Sequence, residues 1–292
     1  MRTIMANVFF AGPREGPWFL IDAGIPGSAG SIRKAVAKRF GGGSKPEAIV
    51  LTHGHFDHVG AVRTLAEEWG VPVYAHPLEL PYLTGKSQYP PADPVVGGGA
   101  LALLSPLYPR SPIDIRDLVK ELPADGRIPG FPEWQWIATP GHTSGHVSFY
   151  RSTDRALVAG DAFVTTKAES FRAVMSQRIE VNGPPAYFTP DWDSARDSVR
   201  KLSELRPLVL ATGHGIPLAG KRSMELLAEL AADFDRVARP RYGRYAKRPA
   251  VADLNGVLSV PPAVPNPALR RVAMLAAGFV AVSALVAVAR RR

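Results

Sequence analysis

The 292-residue chain contains no cysteine. This excludes disulfides, thiolate metal ligands and cysteine nucleophiles, and carries no information about redox compartment. The N-terminal run Met1–Ala11 meets Gly12-Pro13 and a charged turn without developing the apolar region of a secretion signal, and it is expected to form a first strand. Net charge is also missing over most of the chain: residues 1–234 hold 24 Lys and Arg against 24 Asp and Glu. The formal charge of +9 arises in residues 235–292, where 11 basic residues face two acidic ones. Affinity for nucleic acid depends on neutralising several phosphates, so a neutral main body argues against a nucleic-acid partner. With 46% hydrophobic residues, the chain can bury a core and fits one large domain plus an appendage.

Histidine is sparse but concentrated. Six of the seven histidines fall in three short, glycine-containing segments. The first is Thr52-His53-Gly54-His55-Phe56-Asp57-His58, the second is Thr139-Pro140-Gly141-His142-Thr143-Ser144-Gly145-His146, and the third is Thr212-Gly213-His214-Gly215. A fourth segment, Leu157-Val158-Ala159-Gly160-Asp161, ends on a carboxylate. Each follows or contains an apolar, β-prone run: 48–51, 134–138, 156–159 and 207–211. Glycine after a strand lets the chain turn sharply, so four strand ends can aim side chains at a shared centre. Imidazole and carboxylate together suit a borderline cation such as zinc. A closed structural zinc site normally uses cysteine, which argues for an open, catalytic one. His76, in Tyr74-Ala75-His76-Pro77, lacks a partner ligand and is expected to be a hydrogen-bonded strand-end residue.

The order His-x-His-x-Asp-His at 53–58, then His142, Asp161 and His214, resembles the metallo-β-lactamase-fold hydrolases over roughly residues 4–234. Phe19-Leu20-Ile21-Asp22-Ala23-Gly24 resembles that family's early strand and turn. The resemblance implies a four-layer αββα sandwich of the α/β class with two divalent metal ions, zinc first and iron or manganese as other occupants. His53, His55 and His142 would hold one ion, Asp57, His58 and His214 the second, and Asp161 would bridge them. Asp57 would also orient the nucleophile or take its proton, as the catalytic carboxylate. Asp22 and His146 are expected behind the ligands, holding them by hydrogen bonds. Histidine at position 55 departs from the flavodiiron reductases, which carry glutamate there. The lack of a cysteine ligand departs from the commonest zinc lactamases. The pattern is closest to the glyoxalase II-like and lactonase-like branches, which implies hydrolysis of a small ester, thioester or lactone by a metal-bridged hydroxide, with no covalent intermediate. Phosphodiester cleavage of a nucleotide or lipid-derived substrate, and a non-catalytic membrane-tethered sensor of metal or ligand, are the alternatives. The excursions 89–109 and 165–190 are candidates for the site's walls or a lid, the first being equally compatible with a surface loop packed on the core. Lys221 and Arg222 read as solvated cations at a helix start. Helices are expected over 59–69, 195–205 and 224–238.

The catalytic domain is expected to occupy 1–245, followed by a proline-rich flexible linker over 246–269 and a membrane helix over 270–292. Residues 272–289 are uncharged for 18 residues. As a helix they would span about 27 Å, near the minimum for a bilayer core. Arginines flank the segment, and a basic cluster precedes the linker at 236–248. These features predict a single-pass C-terminal anchor in the cell membrane, with the catalytic domain on the cytoplasmic side.

Overall fold

The computed structural model describes residues 1–265. The expected membrane helix and the end of the linker lie outside them. Among the described residues no helix is long and apolar enough to cross a membrane.

The expected first strand is broken into three pieces. β1 (Arg2–Thr3) and β2 (Ala6–Asn7) form a small hairpin, and β3 (Phe9–Ala11) enters a sheet. The break falls at Ile4, which takes a left-handed φ of 62° in the turn. Next come β4 (Phe19–Ile21), β5 (Ile49–Val50), β6 (Val73–Ala75) and β7 (Val119–Glu121), giving a five-stranded sheet in the order β3-β4-β5-β6-β7. The four strands from β4 onward run parallel. A six-stranded sheet contains β8 (Arg127–Ile128), β9 (Phe131–Ala138), β10 (Val147–Arg151), β11 (Ala156–Gly160), β12 (Val209–Thr212) and β13 (Leu218–Ala219), arranged β13-β12-β11-β10-β9-β8.

Alternation along the strands builds the layers, since successive side chains point to opposite faces. Phe19, Ile21 and Val50 of the first sheet share one cluster with Phe131, Phe149 and Val158 of the second. The intervening residues Leu20 and Ile49 turn the other way, onto Ile32 and Val36 of helix Ala29–Phe40 and Leu65 and Trp69 of helix Val62–Trp69. On the far side, Leu157 and Leu210 meet Val199 and Leu202 of helix Trp192–Glu204 and Leu227 and Leu230 of helix Lys221–Ala232. Three apolar clusters between four layers make the αββα sandwich expected from the resemblance.

Two helices differ from expectation. The helix expected over 59–69 is split into Phe56–Val59 and Val62–Trp69. At the break, a Cβ on Gly60 would lie 2.1 Å from the carbonyl carbon of Ile25, so the chain must pass the Gly24–Pro26 turn without a side chain. The helix expected over 224–238 starts at Lys221 and is interrupted at Asp233. Arg222 at its start pairs with Glu225 and Glu229, in keeping with a solvated helix-start cation.

The segment expected as a flexible linker is a correction. β14 (Val251–Asp253) and β15 (Gly256–Ser259) form a hairpin there. Asp253 accepts the Asn255 N–H at 2.7 Å, and Gly256 supplies a φ of 110°. The hairpin is tied to the domain: the Val257 N–H donates to Ser87 Oγ at 3.1 Å, and Ala250 N–H to the Pro190 carbonyl at 3.1 Å. Structured chain therefore continues past residue 245.

Candidate metal centre

Strands β9, β11 and β12 run in one direction, because β10 is antiparallel to both β9 and β11 and β12 is parallel to β11. Their C-terminal ends therefore share one edge, where His142, Asp161 and His214 follow. β5 of the other sheet delivers Thr52–His58 to the same edge, and the Thr52 carbonyl accepts the Val147 N–H at 2.9 Å. All seven residues expected as ligands are buried and gathered here. Their donor atoms form three overlapping groups, each within 4.8 Å: His53–His55–His142, His53–His58–Asp161 and Asp57–His58–His214. In the first group His53 Nε2 lies 3.0 Å from His55 Nδ1, which lies 2.9 Å from His142 Nε2. Asp161 sits between the groups, its Oδ2 3.1 Å from His214 Nε2 and 3.5 Å from His142 Nε2. Asp57 Oδ2 is 3.5 Å from His214 Nε2. Gly213 permits this closeness, since a Cβ there would lie 1.9 Å from Asp161 Oδ1.

The hydrogen bonds behind the rings fix which nitrogens face inward. Asp22 Oδ2 accepts from His58 Nδ1 at 2.8 Å and from the Thr52 hydroxyl at 2.8 Å, while its Oδ1 accepts the Thr52 N–H. With its proton committed, the Thr52 oxygen accepts from His53 Nδ1 at 3.0 Å. Thr189 likewise donates to the Pro185 carbonyl and accepts from His142 Nδ1, and His214 Nδ1 donates to the Met5 carbonyl at 3.0 Å. In all four histidines the rear Nδ1 carries a proton, leaving Nε2 directed inward. Asp22 reaches this position with a left-handed φ of 61°, a backbone strain of the kind that persists where a site over-determines it. His146 accepts the Asp161 N–H through Nε2 at 2.9 Å and bonds Thr139 through Nδ1 at 2.8 Å. It therefore braces the main chain of Asp161. His76 accepts the Leu78 N–H and caps the turn after β6, as expected of a strand-end histidine.

The electrostatics ask for positive charge. Burial, reinforced by neighbouring imidazoles, holds His53 and His142 well below histidine's ordinary value. Burial also brings His55 down to about 4. These three are neutral and face one another with lone pairs. Burial works against charge on His58 and His214 as well, but there the carboxylates led by Asp161 outweigh it, lifting His58 well above its ordinary value and His214 to about 9. His58 Nε2 and Asp161 Oδ1 are buried without a hydrogen-bond partner. Converging lone pairs on one side of Asp161 and unsatisfied carboxylate and imidazole atoms on the other fit two divalent cations.

A family profile described as the metallo-beta-lactamase superfamily matches residues 2–214. The chain belongs to this superfamily. It is a metallo-hydrolase, 52% identical over 229 residues to the probable metallo-hydrolase YflN of Bacillus subtilis (strain 168), an alignment covering 78% of this chain and 87% of the relative. A second probable metallo-hydrolase of that organism, YybB, is 30% identical over 198 residues, covering 68% of this chain and 75% of the relative. Among solved structures, the BLEG-1 B3 metallo-beta-lactamase superposes with a TM-score of 0.55 at 23% identity, over 77% of this chain and 94% of that one. ST1585, a superfamily protein from Sulfolobus tokodaii, gives 0.52 at 24%, over 78% of this chain and 80% of that one. At such identities the two structures share the fold.

One carboxylate of this metallo-hydrolase escaped the reading of the sequence. Glu79 is fully buried. Its Oε2 accepts from the Gly54 N–H at 2.9 Å and from the Tyr89 hydroxyl, and its Oε1 accepts from the Thr143 hydroxyl at 2.6 Å and the Gly145 N–H at 3.0 Å. Burial pushes the Glu79 carboxyl up, and the four donors pull back against it. Gly54 lies between His53 and His55, and Thr143 follows His142, so Glu79 pins two histidine loops to each other. Nothing in Pro77-Leu78-Glu79-Leu80 marks it locally, because all four donors are at least ten residues away.

A cavity of about 400 Å³ opens beside His55 and His142. Both excursions contribute to it: Tyr89, Pro90 and Pro91 from the first, Phe188 and Pro190 from the second. Further along the first excursion Val96 and Ala102 are buried in the core, so it serves as both wall and packing. Tyr82 and Tyr89 stack 3.9 Å apart on one side. Among the described residues neither Lys nor Arg lines the cavity, and its acid, Asp191, is engaged with Ser194.

Removing Asp22 offers a contrast with removing a ligand. Asp22→Ala takes away the partner that holds His58 and, through Thr52, His53. It is expected to lower metal affinity and kcat/KM by about 10- to 100-fold, the usual effect of losing such a partner. Metal titration and steady-state kinetics on the folded variant measure this; values within twofold of the parent would show that the rings orient without it.

Proposed function

We propose that this metallo-hydrolase cleaves a small carboxylic ester, thioester or lactone at a dinuclear centre. His53, His55 and His142 would hold one divalent cation, Asp57, His58 and His214 the second, with Asp161 shared between them; zinc suits this donor set, as do iron and manganese. When bound, the cations supply Lewis acidity and lower the pKa of water to near neutrality. The chain provides the rest. His55 and His142 line the cavity, so a centre they help to hold would open into it, and the apolar walls would exclude bulk water around the acyl group. Asp57 Oδ2 is the carboxylate that accepts the proton of the attacking water. Water oxygen joins the acyl carbon and the bond to the leaving oxygen or sulfur breaks. One proton passes to the leaving group, and the acid product loses the other to solvent. No serine or cysteine nucleophile takes part.

The observation that carries this reading is the pairing of two groups of candidate ligands around Asp161 with an aromatic-lined cavity that has no lysine or arginine among the described residues. The same cavity disfavours a phosphodiester substrate, whose anion would find no lysine or arginine among the described residues there. A sensor without catalysis is disfavoured by the completeness of the donor set. The test is the full chain, its metal content measured, assayed against aryl esters, a thioester, a lactone and bis-p-nitrophenyl phosphate. Carboxylic substrates should turn over, with activity lost to chelator and restored by zinc. Preference for the phosphodiester would favour the first alternative, and no turnover with two metals bound would favour the second.

The proposal extends to the tail. The uncharged run 272–289, its flanking arginines and the basic cluster 236–248 support a single-pass anchor over 270–292, holding the catalytic domain against the cytoplasmic face of the membrane. Full-length protein should sediment with membranes and require detergent for extraction; its recovery in the soluble fraction would overturn the anchor.

A further inference from the structure

We propose that residues 245–259 form a strap that completes the substrate cavity and restricts it to esters carrying an uncharged, apolar group. The inference rests on the hydrolase reading above and adds to it the class of substrate and the segment that selects it. The family profile ends at residue 214, before the strap begins. The strap nevertheless supplies Tyr245, Pro249, Ala250, Val251 and Ala252 to the cavity that contains His55 and His142.

The strap is fastened on both sides. The Tyr245 hydroxyl donates to the Pro91 carbonyl at 2.6 Å, and the Arg244 N–H donates to Asp93, both in the first excursion. Ala250 N–H bonds the Pro190 carbonyl of the second excursion, and the hairpin beyond is held by Ser87 Oγ. Gly256 meets Ser87 so closely that a Cβ would lie 2.2 Å from the serine Cβ. Tyr245 is buried, with 3% of its surface exposed, so the strap is part of the fold where it crosses the site.

What the strap presents is apolar. Leu78, Tyr82, Pro140 and Phe188 line the same cavity, and an acyl or alkyl chain among these surfaces would lose water. A charged group there would be desolvated without a partner, which is strongly unfavourable. Arg110 and Arg244 line a separate hollow that shares Pro91 and Phe188 with this one. Arg110 is turned to the Tyr89 carbonyl.

The experiment compares kcat/KM of the full-length, metal-loaded protein for p-nitrophenyl acetate, p-nitrophenyl octanoate and a p-nitrophenyl ester of similar length ending in a carboxylate. The octanoyl ester should exceed the acetyl ester by about tenfold or more, since added methylenes gain from an apolar pocket. The carboxylated ester should fall about a hundredfold below the octanoyl ester. Two variants probe the strap. Ala252→Trp fills its face of the cavity, and Gly256→Val forces the hairpin off Ser87. Each should reduce the octanoyl-to-acetyl ratio about tenfold while the protein keeps two metals per chain. A ratio unchanged in both variants, or a preference for the carboxylated ester through Arg110 and Arg244, overturns the strap while leaving ester hydrolysis intact. Absence of any ester turnover by two-metal protein overturns both the strap and the reading on which it rests.

Discussion

Asp161→Asn is expected to reduce kcat/KM by about 10³-fold or more while leaving the fold in place. Asparagine keeps the shape of the side chain, so the tight approach of Gly213 and the bond from Asp161 N–H to His146 persist. What disappears is the negative charge lying 3.1 Å from His214 Nε2 and 3.5 Å from His142 Nε2. That charge is what would allow two dications to share one buried site, and a metal's contribution to transition-state charge is worth several kcal/mol, each 1.36 kcal/mol being a factor of ten. Metal content should fall from two per chain toward one, with the His53–His55–His142 group retained. Elemental analysis, circular dichroism and kinetics on the same preparation decide the matter. An asparagine variant with two metals and activity within tenfold of the parent would remove Asp161 from its bridging role.

The clustering of these seven side chains was legible in the sequence because its information is local. Glycine beside histidine or aspartate at the end of an apolar run is visible within each segment, and the order of the segments carries the resemblance. The partners behind the ligands were legible in part. Asp22 was visible as the end of an early strand, yet its grip on His58 and Thr52 depends on a left-handed backbone that strand patterning does not announce. His146 was expected behind the ligands, holding them by hydrogen bonds; it accepts the main-chain N–H of Asp161, a partner that its own segment does not announce. The strap was hidden by composition. Prolines at 249, 261 and 262 suggested an extended linker, while the pair Asn255-Gly256, a recognised hairpin signal, was the overlooked clue. Helix boundaries failed where another turn crosses the chain, as at Gly60 against Ile25 and Pro26. Such failures share one cause: contacts between residues far apart in sequence override local pattern.

Glu79 is the furthest case of this kind, and its replacement carries the second large effect. Its carboxylate accepts from two backbone N–H groups and two hydroxyls, all in a buried setting. Hydrogen bonds to a charged group contribute about 1.5–3 kcal/mol each, and buried donors left unmatched cost about 1–3 kcal/mol apiece. Glu79→Ala leaves all four donors without that acceptor and is expected to destabilise the protein by about 3–5 kcal/mol, the usual scale for breaking a buried charged network. Glu79→Gln is the sharper probe. Its amide offers one accepting oxygen and one NH₂ group. The hydroxyls of Thr143 and Tyr89 can rotate to accept from that NH₂, but the N–H of Gly54 and of Gly145 cannot. With the NH₂ toward Gly145 that N–H is stranded, for a loss of about 1–3 kcal/mol; with the NH₂ toward Gly54 two donors face each other, and the Gly54 N–H keeps only the Tyr89 hydroxyl at 2.9 Å. If Glu79 also holds the two histidine loops in register for metal, the Tm deficit of the glutamine variant should be larger with metal bound than after chelation, because ligand binding adds stability only to a correctly assembled site. Equal deficits in the two states would assign Glu79 to folding alone. A larger deficit in the metal-loaded protein, with weaker metal binding, would place it among the residues that position the centre.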